Sequence, residues 1–229
     1  MEKSTFQINY DSLVAIVAKM IKDVEIGNQF LHLKKDRVEL IINKISSFGW
    51  YIDDFSKESK LSTSKCLKFI YTNLPEKLDE YLSDYYKNRV NQIEDDLKTK
   101  YPKRSAIISE AFYAHRNKLF HSSICLFITI IDGICDDVLD AKFFKNIKDL
   151  PEIRVKLEEK KMNFSDFLLS PIKNKGAINA WEKELNKYPI RLNRHEIIHG
   201  KDINYGNEIN SLRIISMLSY IDYILTHFD

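Results

Sequence analysis

Only six glycines and five prolines punctuate the 229 residues of this chain. Few breakers let long helices run. A β-sandwich or barrel needs turn residues at roughly every 8–12 positions, and that supply is missing. The apolar fraction is 44%, enough to bury a real core, which excludes disorder and fibrous repeats. The sequence therefore predicts an all-α fold.

Hydrophobic spacing places the helices. Leu13, Ile16, Val17, Met20, Ile21 and Val24 recur at helical intervals after Asp11, a fitting N-cap. A second helix is expected over 31–45, broken by Ser46-Ser47-Phe48-Gly49, with a short aromatic piece from Trp50. Pro75 opens a long helix carrying Leu78, Leu82, Tyr85, Ile93 and Leu97, ending before Pro102. Residues 105–139 read as one or two helices, with 124–134 apolar on most sides and so central. A polar connection follows, then a short helix over 177–186. The last helix spans 207–226 with Ile209, Leu212, Ile215, Leu218, Ile221 and Leu225 as its core stripe. The best boundary candidate divides an N-terminal helical region, 1–102, from a helical domain, 103–229.

Charge and cysteine narrow the function. Net charge is only +2, so the chain is no generally basic nucleic-acid coat. Residues 171–201 differ, with seven basic against three acidic side chains. Beside a phosphate-handling site such an excess attracts a polyanion. Cys66, Cys125 and Cys135 are too few and scattered for a disulfide framework or zinc knuckle. The first residues lack a signal-peptide pattern, and the longest uncharged apolar stretch, 122–131, is about half a membrane span. A reducing microbial cytoplasm and no membrane partner are expected.

Nucleotide-binding glycine loops and a GxSxG elbow are absent. Chemistry concentrates in Arg191-Leu192-Asn193-Arg194-His195-Glu196-Ile197-Ile198-His199-Gly200. His195-Glu196-Ile197-Ile198-His199 spells HExxH, two imidazoles on one helical face with a glutamate as base for zinc hydrolysis. That reading lacks an evident third ligand, since no histidine follows closely, Glu208 is the only later glutamate, and Asp222 lies in the apolar helix. Alternatively, Arg194 and His199 form an Arg-x4-His pair. An imidazole can take the proton of a ribose 2′-hydroxyl or return one to a leaving 5′ oxygen, while a guanidinium stabilises charge on the phosphate. A third reading makes the segment a polar cap on the last helix. Arg116 and His121 repeat the Arg-x4-His spacing, but five residues turn a continuous helix by about 140°, so a structural or RNA-contacting role fits Arg116 better.

Asn193 to Gly200, followed by 202–212, resembles the C-terminal motif of HEPN-like helical proteins. Ile131-Asp132-Gly133-Ile134 and Leu168-Leu169-Ser170-Pro171 resemble parts of uncharacterised bacterial proteins of that type. The likeness covers roughly 103–226, so the expected fold is a HEPN-like helical bundle with an N-terminal helical extension. It implies a metal-independent RNA endonuclease without cofactor, in phage defence or a toxin system. Arg194 and His199 would be catalytic, with His195 or Asn193 positioning substrate or holding the motif. Arg191, Lys201 and Arg116 would support the motif or touch substrate. It also implies a homodimer whose two motifs line one cleft, and an antitoxin or effector protein as a further partner. Other members are non-catalytic modules that bind RNA or protein, so both classes stay open.

Overall fold

The structure is a computed structural model that describes residues 31–53, 60–147, 150–159, 169–173 and 176–226. The helix expected over 13–24 lies outside the described residues. The rest is all-α, as the scarcity of breakers predicts. Helices α1 (Leu31–Ser46), α2 (Thr63–Tyr71), α3 (Pro75–Lys87), α4 (Val90–Lys100), α5 (Ser105–Arg116) and α6 (Phe120–Leu139) come first. Among the described residues the strand pairing is a two-residue antiparallel ladder, β1 (Asn146–Ile147) with β2 (Leu150–Pro151). Then follow α7 (Glu152–Glu159), α8 (Ser170–Lys173), α9 (Arg194–Ile198) and α10 (Glu208–Thr226).

Helices α6 and α10 pack together at the centre. Helix α5 lies along α6, α4 joins α5 and α10, and α3 covers another side of α10. Residues 210–222 of α10 are buried without interruption, which a one-sided stripe does not predict. Ile209, assigned to that stripe, is instead exposed at the first turn. Apolar residues from both sides of position 103, such as Leu82, Leu97, Phe112 and Ile131, share a single buried cluster. Among the described residues no helix is long and apolar enough to cross a membrane.

Two expected helices are divided. The segment after Pro75 breaks at Asn88 and Arg89, where the Asn88 amide donates to the Asp84 carbonyl at 2.8 Å. Such a side chain competes with the backbone for helical acceptors. Arg89 meanwhile turns its guanidinium to Asp53 at 2.7 Å. Over 177–186 two short 3-10 turns, Ala177–Asn179 and Glu182–Lys187, replace the single helix. Extended Ala180 and Trp181 separate them. Between α5 and α6, Lys118 adopts a positive φ of 61° and ends the first helix. The turn after α1 closes on Gly49 at φ 81°, where an added Cβ would lie 2.4 Å from Ile190 Cδ1.

Buried polar groups fasten α10 to its neighbours. Arg213 holds the Asp79 carboxylate through two bonds of 2.7 and 2.9 Å, and its guanidinium lies 5.7 Å from the Trp50 ring centroid. Ser211 meets His115 Nδ1 at 2.8 Å and Ser123 at 3.0 Å. Burial pushes the His115 imidazole down to about 4 from its usual 6.5. The unfolded chain therefore takes up this proton first as pH falls. Stability linked to His115 is complete above about pH 6.5, declines as pH drops towards 4, and amounts to about 3 kcal/mol at most. Urea midpoints measured from pH 7 to 4 should fall less steeply in His115→Gln than in the wild type. Parallel curves would show that His115 does not titrate in this way.

Candidate active site at the Arg-His segment

The segment opens on Asn193, whose extended backbone ends where α9 begins. Its side-chain oxygen accepts the Glu196 amide at 3.1 Å, an N-cap. Its Nδ2 donates to the carbonyls of Ala177 at 2.7 Å and Ala180 at 3.0 Å. Asn193 is buried, and both donor hydrogens are used. It therefore holds the motif rather than facing a substrate.

Helix α9 lasts only five residues. Gly200 ends it at φ 67°, and the Glu196 carbonyl accepts the amides of Lys201 at 2.8 Å and Asp202 at 3.2 Å. Ile197 and Glu196 face the core. The Glu196 carboxylate, in a residue only 1% exposed, is clamped by Arg191 through Nε at 3.0 Å and Nη2 at 2.8 Å. His195, Ile198 and His199 face solvent. The two imidazoles touch, with ring centroids 4.3 Å apart and planes inclined by 54°.

This geometry does not suit zinc hydrolysis. A base beside a metal-bound water needs a free, accessible carboxylate, and Glu196 is buried and already bidentate to Arg191. Among the described residues no group of three or more His, Cys, Asp or Glu side chains is placed to hold a metal.

Arg194 stands apart from His199. Its guanidinium lies 5.4 Å from the Phe144 ring centroid, a cation–π contact. Its Nε is buried without a hydrogen-bond partner. No hydrogen bond, ion pair or ring contact joins it to His199.

The loop after His199 is held from α6. His121 Nε2 lies 3.2 Å from the Ile203 carbonyl, and its ring meets Tyr205 edge-on at 4.8 Å. An added Cβ on Gly206 would come within 2.1 Å of the His121 ring, so glycine is required for this approach. Arg116 instead faces α4, pairing with Glu94 at 2.5 Å and Asn91 at 3.4 Å. Arg116 and His121 thus have separate partners and separate surroundings. The contact of His121 with the motif loop carries no sequence signal, since 82 positions separate it from Ile203.

Local charge is largely paired, and the pairing is informative. Lys201 binds Glu182 at 2.5 Å, Lys187 binds Glu184 at 3.2 Å, and Arg191 binds Glu196. The Lys201 ammonium, with His195 and Arg191 nearby, holds the Glu182 carboxyl below its ordinary range. All three acids of this stretch are therefore engaged. Lys183 and Arg194 have no acidic partner among the described residues, Lys175 lies outside them, and the Lys173 side chain is not described. Among the described residues the unpaired cations of this stretch are therefore Lys183 and Arg194.

No protein-family model, no curated protein and no solved structure matches the chain. The functional reading rests on the residues themselves.

A second polar region lies between α4 and α10. A cavity of about 140 Å³ is lined by Asp53, Arg89, Lys100, Ser219 and Asp222, among others. Asp53 accepts from Tyr86, Arg89 and Ser219. Asp222 accepts from Lys100 at 2.6 Å and Tyr101 at 3.0 Å. These charges are mutually satisfied, so they join helices and leave no reactive group exposed. The sequence suggests Asp222 only as a zinc ligand and does not single out Asp53, because the partners of both lie on other elements, 33 to 166 positions away.

Proposed function

We propose that this protein is a metal-independent RNA endonuclease of the HEPN type, with Arg194 and His199 as its catalytic residues. One observation carries the reading. In the Arg-His segment the groups that hold the structure, Asn193 and Glu196, are buried and fully hydrogen-bonded, while the groups suited to phosphate chemistry form no hydrogen bond or ion pair among the described residues. The His195 and His199 imidazoles face solvent, and Arg194 has no acidic partner among the described residues.

His199 takes the proton of a ribose 2′-hydroxyl. The 2′ oxygen bonds to the adjacent phosphorus as the bond from phosphorus to the 5′ oxygen breaks. An imidazolium, from His195 or from the second copy, protonates that leaving oxygen. Arg194 offsets the charge on the phosphate oxygens. The products are a 2′,3′-cyclic phosphate and a 5′-hydroxyl. No metal or cofactor enters.

Within one chain the Arg194 guanidinium packs on Phe144 and makes no recorded bond to His199; a site assembled from two copies would bring both groups onto one phosphate. This agrees with the pairing that the resemblance implies. Mixing Arg194→Ala chains with His199→Ala chains tests it, because one site of each mixed dimer keeps both groups. Partial recovery of RNA cleavage from two inactive variants is expected. No recovery, with mixed dimers present, would place both groups in one chain. A wild-type protein that cuts no RNA would overturn the activity itself.

A second reading, a non-catalytic helical module that binds RNA or protein, is favoured by exposed Ile198 and Ile203 beside the motif. It predicts a dimer that binds and never cuts. An antitoxin or effector partner belongs to either reading.

A further inference from the structure

Trp181 is the large aromatic residue most out of place near the Arg-His segment. It is 58% exposed, and its indole has no hydrogen-bond or ring partner among the described residues. The chain has two tryptophans, and the other, Trp50, is 1% exposed and stacked on Tyr86. Leaving an indole in water forgoes its large burial energy, so a rigidly presented one marks a contact surface.

The residues on either side of Trp181 are held. The residue before it, Ala180, gives its carbonyl to Asn193 Nδ2 at 3.0 Å. The residue after it, Glu182, gives its carboxylate to Lys201 Nζ at 2.5 Å. Asn193 caps the motif helix, and Lys201 is the second residue beyond His199. Both neighbours of Trp181 are therefore tied to the two ends of the Arg-His segment. Asn193 thus performs two tasks, capping α9 and fixing the backbone before the indole. Nearby Lys183 has no acidic partner among the described residues, and the nearby acids are engaged by Lys201, Lys187 and Arg191.

We infer that Trp181 is a stacking platform for a base of single-stranded RNA, held beside the Arg-His segment so that the bound strand enters the site. The inference rests on the RNA reading of that site and names how its substrate is gripped. Two features favour RNA over a protein surface. Once the paired charges are set aside on both sides, the charge left beside the indole is the Lys183 ammonium, which has no acidic partner among the described residues. The chain neighbours of Trp181 are tied to Asn193 and Lys201, which border the Arg-His segment on either side. Stacking on an aromatic face tolerates any base, so the strand should be selected for being single and not for sequence. The Lys183 ammonium beside the platform adds a salt-dependent backbone contact.

The test uses the full-length protein and a single-stranded 2′-O-methyl oligouridylate, which lacks the proposed nucleophile and so reports binding alone. RNA is expected to shield Trp181 fluorescence from acrylamide while the buried Trp50 stays unaffected. Trp181→Ala should weaken binding about 5- to 150-fold, the usual value of one stacked base. Trp181→Phe should recover most of the loss, and a duplex of the same length should bind more weakly than the single strand. Unchanged affinity in Trp181→Ala overturns the platform even if His199-dependent cleavage is seen. Shielding and weakened binding without any cleavage uphold the platform and overturn the nuclease. A variant that loses self-association but binds RNA normally makes Trp181 a protein contact and overturns the inference.

Discussion

Replacing His199 by alanine is expected to reduce RNA cleavage by about 10²- to 10⁴-fold, the usual contribution of one positioned acid or base. The fold should be undisturbed. His199 is exposed at the end of α9, its one recorded side-chain contact is the ring of His195, and surface substitutions of this kind shift stability by about 0.5 kcal/mol or less. Loss of activity with an unchanged melting curve is therefore the expected pair of results. Arg194→Ala should lower cleavage by about 10²- to 10³-fold, as removal of a group that stabilises developing charge does. Arg194→Lys should recover little, since a point charge replaces a planar guanidinium that lies over Phe144. Glu196→Gln gives the sharpest contrast with a zinc site, where the HExxH glutamate would be indispensable. Here it weakens the Arg191 clamp and should leave much of the activity. Cleavage that survives His199→Ala intact would remove the residue from the reaction.

The largest expected effect on stability lies far from that segment. Asp53→Ala should destabilise the protein by about 3–5 kcal/mol, the usual result of removing one partner of a buried ion pair. The Asp53 side chain is only 1% exposed, and Arg89, Tyr86 and Ser219 all converge on it. Its loss removes the carboxylate from the Ser219 hydroxyl and leaves the partly buried Arg89 guanidinium with Tyr85 alone, while Tyr86 keeps the Tyr51 carbonyl. For a chain of this size the midpoint should drop by roughly 2–4 °C for each kcal/mol. Asp53→Asn should fall between the two, keeping hydrogen bonds and losing charge. Calorimetry of the three proteins decides the matter. A shift below about 1 kcal/mol in Asp53→Ala would mean that the network is not a structural tie.

The sequence made the helices legible and left most polar pairing hidden. Apolar spacing found α10 within one residue, and Ser46 to Gly49 marked the end of α1 because a positive-φ glycine must stop a helix there. The break at Asn88 escaped notice because leucine and tyrosine spacing continues through it. The cause is a side-chain bond and a distant carboxylate, and neither has a periodic signature. The two turns over 177–187 were read as one helix because the residues are good helix formers. Asn193 instead bonds the Ala177 and Ala180 carbonyls in that stretch. At the site, HExxH was legible as letters, but the use of Glu196 was not. Its partner Arg191 lies five positions earlier, at a spacing that signals nothing by itself. The His121 contact beneath Gly206 was hidden for the same reason, since it depends on how α6 passes the motif loop.

The central claim is that the Arg-His segment cleaves RNA through the 2′-hydroxyl without a metal. The most direct measurement is cleavage of a single-stranded RNA in excess EDTA, with analysis of the product ends and a matched substrate carrying one 2′-deoxy residue at the cut. The account predicts undiminished cleavage, 2′,3′-cyclic phosphate and 5′-hydroxyl ends, and no cut at the deoxy position. Cleavage abolished by EDTA and restored by a divalent ion, with 5′-phosphate ends and indifference to the deoxy residue, would contradict it.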